Sequence, residues 1–306
     1  MSQAVKKGEC CMISPTYILT ADWHLREDTP VCRTDDFVTT QFRKMDFVAA
    51  LQRKYCCPVL HAGDLFHKWK PSPWLISKTI EHLPEDFYTV LGNHDLPYHK
   101  VDEWQKCGVF TLFMAGSLHV LPFGHYGAPF KRLVRNNEYI DRELDYDDVF
   151  VLHQFVCIGN EGYTWTTPSD TVKALFRNEK LKRFKLLLTG DNHIPFTRTT
   201  TSGRLLVNPG PLTRQTVKDH APRVYLYYHR TNEIRPVWIP CEDDAVDDSH
   251  IVDANNRDNR LDAFVEGLDT DWERGGGFLV NLRNYRKKNK VSDKVWGIIE
   301  RSVEVE

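Results

Sequence analysis

The sequence predicts an α/β fold whose strands deliver polar side chains to a common edge. Five short apolar runs each end at Asp, Asn or His, and glycine directly precedes the polar residue in three of them. Between the first two runs, residues 35–55 carry apolar side chains at helical spacing, which predicts an amphipathic helix. Short buried strands that alternate with an amphipathic helix are typical of α/β proteins.

The five endings carry side chains of the kinds that bind metal ions. In chain order they are Asp22-Trp23-His24, Gly63-Asp64, Gly92-Asn93-His94-Asp95, His153-Gln154 and Gly190-Asp191-Asn192-His193. Open α/β sheets bind their ligands outside the carboxyl ends of the strands. Asp22 and His24 are two residues apart, so extended backbone is expected to point both side chains the same way. A metal centre assembled from separate strand ends requires this repetition, whereas unrelated cores do not produce it five times.

Length and charge bound the organisation of the chain without identifying a substrate. The 306 residues predict one main domain, residues 1–240, and an appendage, residues 241–306. The appendage is expected to begin with an acidic linker, residues 241–250, and to continue with short apolar helical stripes between Leu261 and Val303. The formal net charge is -2, so no overall basic field indicates nucleic acid, although a local patch can still bind phosphates.

Cysteine usage and hydropathy favour a reducing, aqueous compartment. The eight cysteines have no C-x-x-C spacing, so neither a zinc ribbon nor a thioredoxin motif is expected. No apolar run approaches the length of a membrane span, and no hydrophobic segment follows Lys6 and Lys7 near the N-terminus. We expect a soluble cytoplasmic protein that does not associate with membranes.

Seven of the strand-end residues form a donor set for metal ions. They are Asp22, His24, Asp64, Asn93, His153, Asp191 and His193. Mixed oxygen and imidazole donors suit Mn, Fe or Zn, and a set of this size suits two ions better than one. Asp64 follows a glycine turn and is well placed to bridge both ions. Two cations about 3.5 to 4 Å apart bind both nonbridging oxygens of a phosphate and acidify a bridging water.

His94 lies beside a candidate ligand but is assigned a catalytic role. It is predicted to stabilise the pentavalent transition state or to protonate the leaving oxygen. His61, inside the second strand, has two interpretations: a hydrogen-bonded core histidine, which is the more common case, or a site residue.

A short basic loop follows Asp64. His67, Lys68 and Lys70 come just before two prolines, which forbid a continuous helix there. The loop either contacts substrate phosphates or is simply solvated, and the sequence leaves both interpretations open. Together with Arg26, these three residues are the candidate substrate contacts.

The order of these motifs resembles the calcineurin-like metallophosphoesterases. The motifs D-x-H, G-D, G-N-H-D, H and G-x-x-H follow one another between Tyr17 and Pro240. Within that superfamily, residues 22–25, 63–72, 152–154 and 208–210 are similar to the SbcD-type DNA repair nucleases. Two positions depart from the family pattern: Arg26 replaces a glycine, and Asp191 stands where the usual G-H-x-H has a histidine.

The resemblance implies a four-layer αββα sandwich with a short helical C-terminal appendage and two metal ions. One ion would be held by Asp22, His24, Asp64 and His193, and the other by Asp64, Asn93, His153 and Asp191. His94 would be the catalytic histidine. Mn is the favoured metal, with Mg, Fe and Zn as alternatives, and the carboxylate of Asp191 should shift preference from Zn toward Mn or Mg.

The resemblance also implies an activity and partners. The expected activity is metal-dependent hydrolysis of DNA phosphodiesters in DNA repair, recombination or replication. The expected enzyme is an exonuclease, either alone or with endonuclease activity as well. A phosphatase, a cyclic-nucleotide phosphodiesterase and a catalytically inactive scaffold are the alternatives. The expected partners are DNA and an SMC-like ATPase of the SbcC type that binds the C-terminal segment. Docking of that segment on the nuclease domain is the alternative, and a homodimer stays open.

Overall fold

The computed structural model describes residues 14–121, 127–128, 148–158, 171–249 and 278–303. The chain forms two compact units, residues 1–247 and residues 248–306. Within the described residues, the first unit contains two β-sheets with their helices, and the second contains two helices. All seven candidate metal ligands belong to the first unit.

The first sheet is built from six short strands. They are β1 (Tyr17–Thr20), β2 (Val59–His61), β3 (Phe87–Thr89), β4 (His119–Val120), β10 (Arg223–Tyr228) and β11 (Glu233–Trp238). Their order is β11-β10-β1-β2-β3-β4, with β1 to β4 parallel and with β10 and β11 antiparallel to their neighbours. The strands β1, β2 and β3 therefore end at the same edge.

The second sheet is also mostly parallel. Its strands are β5 (Gly127–Ala128), β6 (Val149–His153), β7 (Leu186–Gly190), β8 (Phe196–Thr199) and β9 (Leu205–Asn208). In the order β5-β6-β7-β9-β8, only the edge strand β8 runs antiparallel to its neighbour. The carboxyl ends of β6 and β7, which carry His153 and Asp191, consequently lie side by side.

Three α-helices of the first unit begin at residues whose side chains cap them. The first unit contains α1 (Phe37–Tyr55), α2 (Pro73–His82), α3 (Gly108–Met114) and α4 (Val172–Arg177), and the second contains α5 (Phe278–Lys288) and α6 (Asp293–Val303). The side chain of Asp36 accepts a hydrogen bond from Thr39 at the start of α1, and Ser72 accepts one from Leu75 at the start of α2. Both are preferred N-cap residue types, and Pro73 occupies the first helical position.

Alternate strand residues face different layers. Ile18 of β1 belongs to the same buried cluster as Met45 of α1, whereas Leu19 belongs to the cluster that contains Leu188 of β7. In the second sheet, Leu187 belongs to the cluster that contains Leu175 of α4. This alternation with period two gives each sheet one face toward helices and one toward the other sheet. The expected four-layer αββα sandwich is confirmed.

The segment after Pro240 is held against the first unit. Thr34 donates from its backbone to Ala245 O at 3.3 Å and from its hydroxyl to Asp244 O at 2.6 Å. The backbone N–H of Asp247 donates to Cys32 O at 2.8 Å. Residues 241–247, expected to begin a linker, therefore extend the first unit, and the division of the chain falls after Asp247.

The second unit contains the expected short helices. Leu282 of α5 and Trp296 of α6 are buried, and the guanidinium of Arg286 lies 4.7 Å from the centre of the Trp296 ring. Arg286 also contacts the carboxylate of Asp293 at 2.8 Å. The predicted stripe from Leu261 to Leu268 lies outside the described residues. Across the described ranges, no helix combines the length and the apolar character needed to cross a membrane.

Candidate metal centre

The carboxyl ends of the two sheets are joined by hydrogen bonds. The carboxylate of Asp22, just after β1, accepts from the backbone N–H of Asp191, just after β7, at 2.9 Å. The ring of His153 at the end of β6 donates from Nδ1 to Ala62 O, just after β2, at 2.7 Å. Strand ends that are distant in the sequence therefore meet at one place, as the pattern of endings predicts.

The backbone at this place is not extended. Asp22, His24, Asp64 and Asp191 all have positive φ angles, of 52°, 45°, 58° and 76° respectively. The prediction that an extended backbone points the side chains of Asp22 and His24 the same way is therefore wrong, because both residues adopt left-handed backbone conformations. Such conformations cost about 1–3 kcal/mol each for residues other than glycine and concentrate at functional sites. The surrounding hydrogen bonds must hold them.

Asp22, His24 and His193 form one candidate cation site. Their ligand atoms lie within 4.8 Å of one another. The Nε2 atoms of His24 and His193 are 3.2 Å apart. Within the described part of the chain, Asp22 Oδ2 and His24 Nδ1 are buried without a hydrogen-bond partner. A buried carboxylate oxygen that lacks a donor is costly unless a cation binds it, so this donor set fits a metal ion.

Asp64 connects this site to a second one. Its Oδ2 lies 3.5 Å from His24 Nε2 and 3.4 Å from His153 Nε2, and Asp22, Asp64 and His153 also have ligand atoms within 4.8 Å of one another. The amide oxygen of Asn93 lies 2.8 Å from His153 Nε2. Asp64 thus lies between His24 and His153, which belong to different groups.

Asp191 lies at the margin of the second site. Its Oδ1 is 3.9 Å from His153 Nε2, and its side chain is 25% exposed, whereas that of His153 is fully buried. Asp191 is not a member of the three compact groups of ligand-type residues found in the described chain. Its carboxylate approaches His153 Nε2 less closely than that of Asp64, which lies 3.4 Å away.

His94 is fixed beside the candidate ligands without belonging to either of these two groups. Its backbone N–H donates to Asp64 Oδ1 at 2.8 Å, and its ring Nδ1 donates to the carbonyl oxygen of His67 at 2.7 Å. The ring lies edge-on to His24, with 4.7 Å between centroids. A third compact group contains His24, His67 and His94. Because Nδ1 carries the donated proton, Nε2 is the atom free to exchange a proton with a ligand.

Asp95 turns inward and organises the loops instead of facing the site. This fully buried carboxylate accepts backbone hydrogen bonds from Asp64 at 2.9 Å, Leu65 at 3.3 Å, Phe66 at 3.0 Å and Gly92 at 3.0 Å. Gly92 leaves the space that this arrangement needs, since a Cβ there would lie 2.0 Å from Asp64 Oδ1. Placement of Asp95 at the open strand edge, as its position after His94 suggests, is therefore wrong.

Asp219 and Gln215 support two of the candidate ligands from behind. Asp219 Oδ1 lies 3.6 Å from His193 Nδ1, and Gln215 Nε2 donates to His24 O at 3.1 Å. The backbone N–H of Gln215 in turn donates to Asp219 Oδ2 at 2.7 Å. A carboxylate on the far nitrogen of a ligating histidine fixes the orientation of the ring. Sequence reasoning missed both residues, because they lie in a loop with no strand ending to mark them.

His61 is a core residue. Its ring is completely buried and its Nδ1 lies 2.8 Å from the hydroxyl of Thr89 on the neighbouring strand. Burial lowers the pKa of His61 to about 3, so the ring is neutral. The structure thus favours the core interpretation.

The candidate substrate contacts fall in two places. His67, Lys68 and Lys70 line a cavity of about 380 Å³ together with Asn93, His94, Tyr98 and others. Arg26 is bound instead to Asp28, with Nε 3.1 Å from Oδ1, and to Gln215, with Nη1 3.4 Å from Oε1. The basic loop therefore borders His94, whereas the charge of Arg26 is paired with the neighbouring carboxylate of Asp28.

The buried charges of the centre hold protons that a cation would displace. Burial raises the pKa of Asp22 to about 7, against the opposing effect of His193 and His153. Burial favours the neutral rings of His153 and His193, but the neighbouring carboxylates outweigh it and raise the pKa of His153 to about 10 and that of His193 to about 9. A divalent cation would neutralise the negative charge of the carboxylates in the centre.

Comparison with known proteins places this arrangement in a family. Residues 18–232 match the calcineurin-like phosphoesterase superfamily domain. Among solved structures, an archaeal phosphodiesterase is 13% identical, with 72% of this chain and 98% of that chain covered and a TM-score of 0.41. A metallophosphoesterase from Sphaerobacter thermophilus is 11% identical, with 74% and 88% covered and a TM-score of 0.36. No curated protein matches the sequence.

Cation binding should release protons. At pH 7 the raised pKa values keep His153 and His193 protonated in the cation-free chain, and a metal ion binds only neutral imidazole. We expect affinity for Mn²⁺ to rise from pH 6 to pH 8, by about tenfold per pH unit for each proton released. Titration calorimetry in two buffers of different ionisation enthalpy measures both the affinity for Mn²⁺ and the number of protons released. The variant His119→Gln, which changes an exposed histidine outside the centre, should behave as the wild type. An affinity independent of pH would show that these two histidines are not ligands.

Proposed function

Because the chain belongs to the calcineurin-like phosphoesterase superfamily, we propose that it is a metal-dependent nuclease that hydrolyses phosphodiester bonds in DNA. Membership of the superfamily does not indicate the substrate, and the cavity beside His94 is the observation that supports DNA. Cationic and aromatic side chains line it together, in a volume of about 380 Å³. Cations that contact phosphates and rings that stack on bases are the features by which proteins hold a single nucleic acid strand.

The centre has the residues for two divalent ions. Asp22, His24, Asp64 and His193 would hold one, and Asp64, Asn93, His153 and Asp191 would hold the other, with Mn²⁺ as the proposed metal. Bound there, the two ions would neutralise the phosphate and acidify the attacking water. Hard oxygen donors outnumber imidazoles in the second set, which favours Mn²⁺ or Mg²⁺ over Zn²⁺.

His94 supplies the proton that the leaving oxygen needs. The hydrogen bond from its Nδ1 to His67 O, at 2.7 Å, fixes the orientation of the ring. The hydrogen bond from its backbone N–H to Asp64 Oδ1, at 2.8 Å, fixes its distance from the metal ligands. A protonated Nε2 would donate to the departing oxygen, and the cavity that His94 borders would receive the leaving part of the substrate.

The walls of the cavity suit a nucleotide. Lys68 and Lys70 offer ammonium groups for the next phosphate of a strand. Tyr98 is 75% exposed, and its ring centroid lies 6.2 Å from that of Trp69. Tyr98 and His99 are consecutive residues with positive φ, of 51° and 59°, and His99 Nδ1 donates to Asn93 O at 3.0 Å. This strained turn holds an aromatic ring in solvent, where a base can stack on it.

The variant His94→Gln tests the catalytic assignment. Glutamine cannot transfer a proton, so we expect hydrolysis to fall by about 10²- to 10⁴-fold while Mn²⁺ binding persists. The assay uses end-labelled linear DNA with Mn²⁺, with EDTA as the control, beside a small phosphodiester such as bis(4-nitrophenyl) phosphate. Loss of the metals in the variant would make His94 a ligand. Hydrolysis of small phosphoesters without cleavage of DNA would favour a phosphatase or cyclic-nucleotide phosphodiesterase, and no activity on either would favour an inactive scaffold.

We also propose that the C-terminal unit binds the coiled-coil base of an SMC-like ATPase. Val295 and Ile298 of α6 are 49% and 54% exposed, and their spacing of three residues puts them on one face of the helix. An apolar helix face can pack against a coiled coil. The substitution Ile298→Asp should abolish co-purification with such an ATPase, whereas Ile80→Asp, at a residue of α2 that is 44% exposed, should not. Equal capture by both variants would count against this partner.

A further inference from the structure

A second cavity, of about 270 Å³, shares no lining residue with the candidate metal centre. Its walls are α1 and the segment from Ile239 to Ala245, and three cations, Arg33, Arg43 and Lys44, line it. The sequence gives no motif for this place. None of the functions proposed above uses it.

Lys44 is a buried cation without a matched anion. Its relative exposure is 3%, and the hydrogen bond found for its ammonium within the described chain is a long one, 3.5 Å to Leu212 O. An ammonium has three donors, so two remain for another acceptor. Burial lowers the pKa of Lys44 to about 8, which leaves the group mostly charged at pH 7. A buried charge that lacks a partner is costly, and an anion bound in the cavity would remove that cost.

The nearest carboxylate in the cavity wall is already engaged. Asp35 accepts from Arg33 Nε at 2.8 Å and Nη2 at 2.6 Å, and from the hydroxyl of Thr40 at 2.7 Å. Asp35 is therefore hydrogen-bonded to Arg33, and together with Cys241 it only partly offsets the effect of burial on the pKa of Lys44. Glu242, on the opposite wall, is exposed.

Arg43 adds donors of the right kind. Its guanidinium is exposed, and its Nη2 donates to the hydroxyl of Thr40 at 2.8 Å, which leaves further N–H groups for a ligand. Lys44 and Arg43 are adjacent on α1, and both line the cavity. A phosphate dianion offers several oxygen acceptors, which suits an ammonium and a guanidinium that approach from different sides.

We propose that this cavity binds a phosphate group, supplied as inorganic phosphate or as a nucleoside monophosphate, through the ammonium of Lys44 and the guanidinium of Arg43. Phe47, Ile239 and Pro240 form the apolar part of the wall. They would contact the organic part of a nucleotide, so a monophosphate should bind at least as tightly as the inorganic ion. The proposal does not depend on the nuclease assignment.

The cavity is connected to the metal centre through residues 212–219. Lys44 contacts Leu212 O, and Arg33 Nη1 donates to Arg214 O at 3.1 Å. The same segment carries Gln215, which donates to His24 O at 3.1 Å, and Asp219, which lies 3.6 Å from His193. A ligand that draws Lys44 away from Leu212 would therefore shift the support of two candidate metal ligands. Since coupling between two sites is reciprocal, Mn²⁺ should also change the affinity for phosphate.

Titration calorimetry of the full chain in EDTA, with inorganic phosphate and separately with dAMP, tests the binding site. We expect saturable binding of at least one ligand, about tenfold or more weaker in Lys44→Met and in Arg43→Gln. Lys54→Met, which changes an exposed lysine of the same helix, should match the wild type. Glu242→Gln should bind more tightly, because it removes a negative charge from the wall.

The variants also separate a lost site from a lost fold. Methionine replaces the aliphatic stem of Lys44 and removes its charge, so Lys44→Met should unfold at the wild-type temperature or above it in the absence of phosphate. Arg43→Gln alters only an exposed side chain and remains decisive if Lys44→Met fails to fold. Wild-type affinity in Arg43→Gln, or the absence of saturable binding of either ligand to the wild type, would overturn the proposal. The readout contains no DNA and no metal, so failure of the nuclease assignment leaves it unaffected.

Discussion

The position of Asp64 determines the geometry of the whole centre. Its Oδ2 lies 3.5 Å from His24 Nε2 and 3.4 Å from His153 Nε2, so it connects the candidate ligands contributed by the two sheets. Asp64 has a positive φ, and its backbone N–H is held at 2.9 Å by the buried carboxylate of Asp95. Because Asp95 also accepts a hydrogen bond from Gly92, its carboxylate connects the loops after β2 and β3.

Burial of the charged side chains makes the centre energetically costly without cations and suited to binding them. Asp22, Asp64 and His153 are almost inaccessible to solvent, and Asp22 Oδ2 lacks a hydrogen-bond donor in the described chain. Without a cation, such a cluster binds protons instead, as the raised pKa values of Asp22 and His153 show. Two divalent ions would replace those protons and stabilise the folded state, as ligands that bind only the native chain do.

The sequence predicts the residues that face the centre better than those that support it. Strand endings mark Asp64 and His153 because an apolar run that stops at a polar residue is visible without a structure. Asp95 belongs to the same short motif as His94. No feature of the local sequence indicates that its carboxylate turns inward and accepts hydrogen bonds from four backbone N–H groups. Asp219 and Lys44 depend on contacts with residues far away in the chain, which periodicity cannot report. Asp tolerates the left-handed backbone region better than most residues, but nothing in the local sequence shows that Asp22 adopts it.

Anomalous diffraction from crystals grown with Mn²⁺ tests the central claim most directly. A dinuclear centre should give two peaks about 3.5–4 Å apart. One Asp64 carboxylate oxygen should bind both ions, with His24 and His193 on one ion and His153 and Asn93 on the other. A single peak, or two peaks that Asp64 does not contact, would contradict the dinuclear assignment.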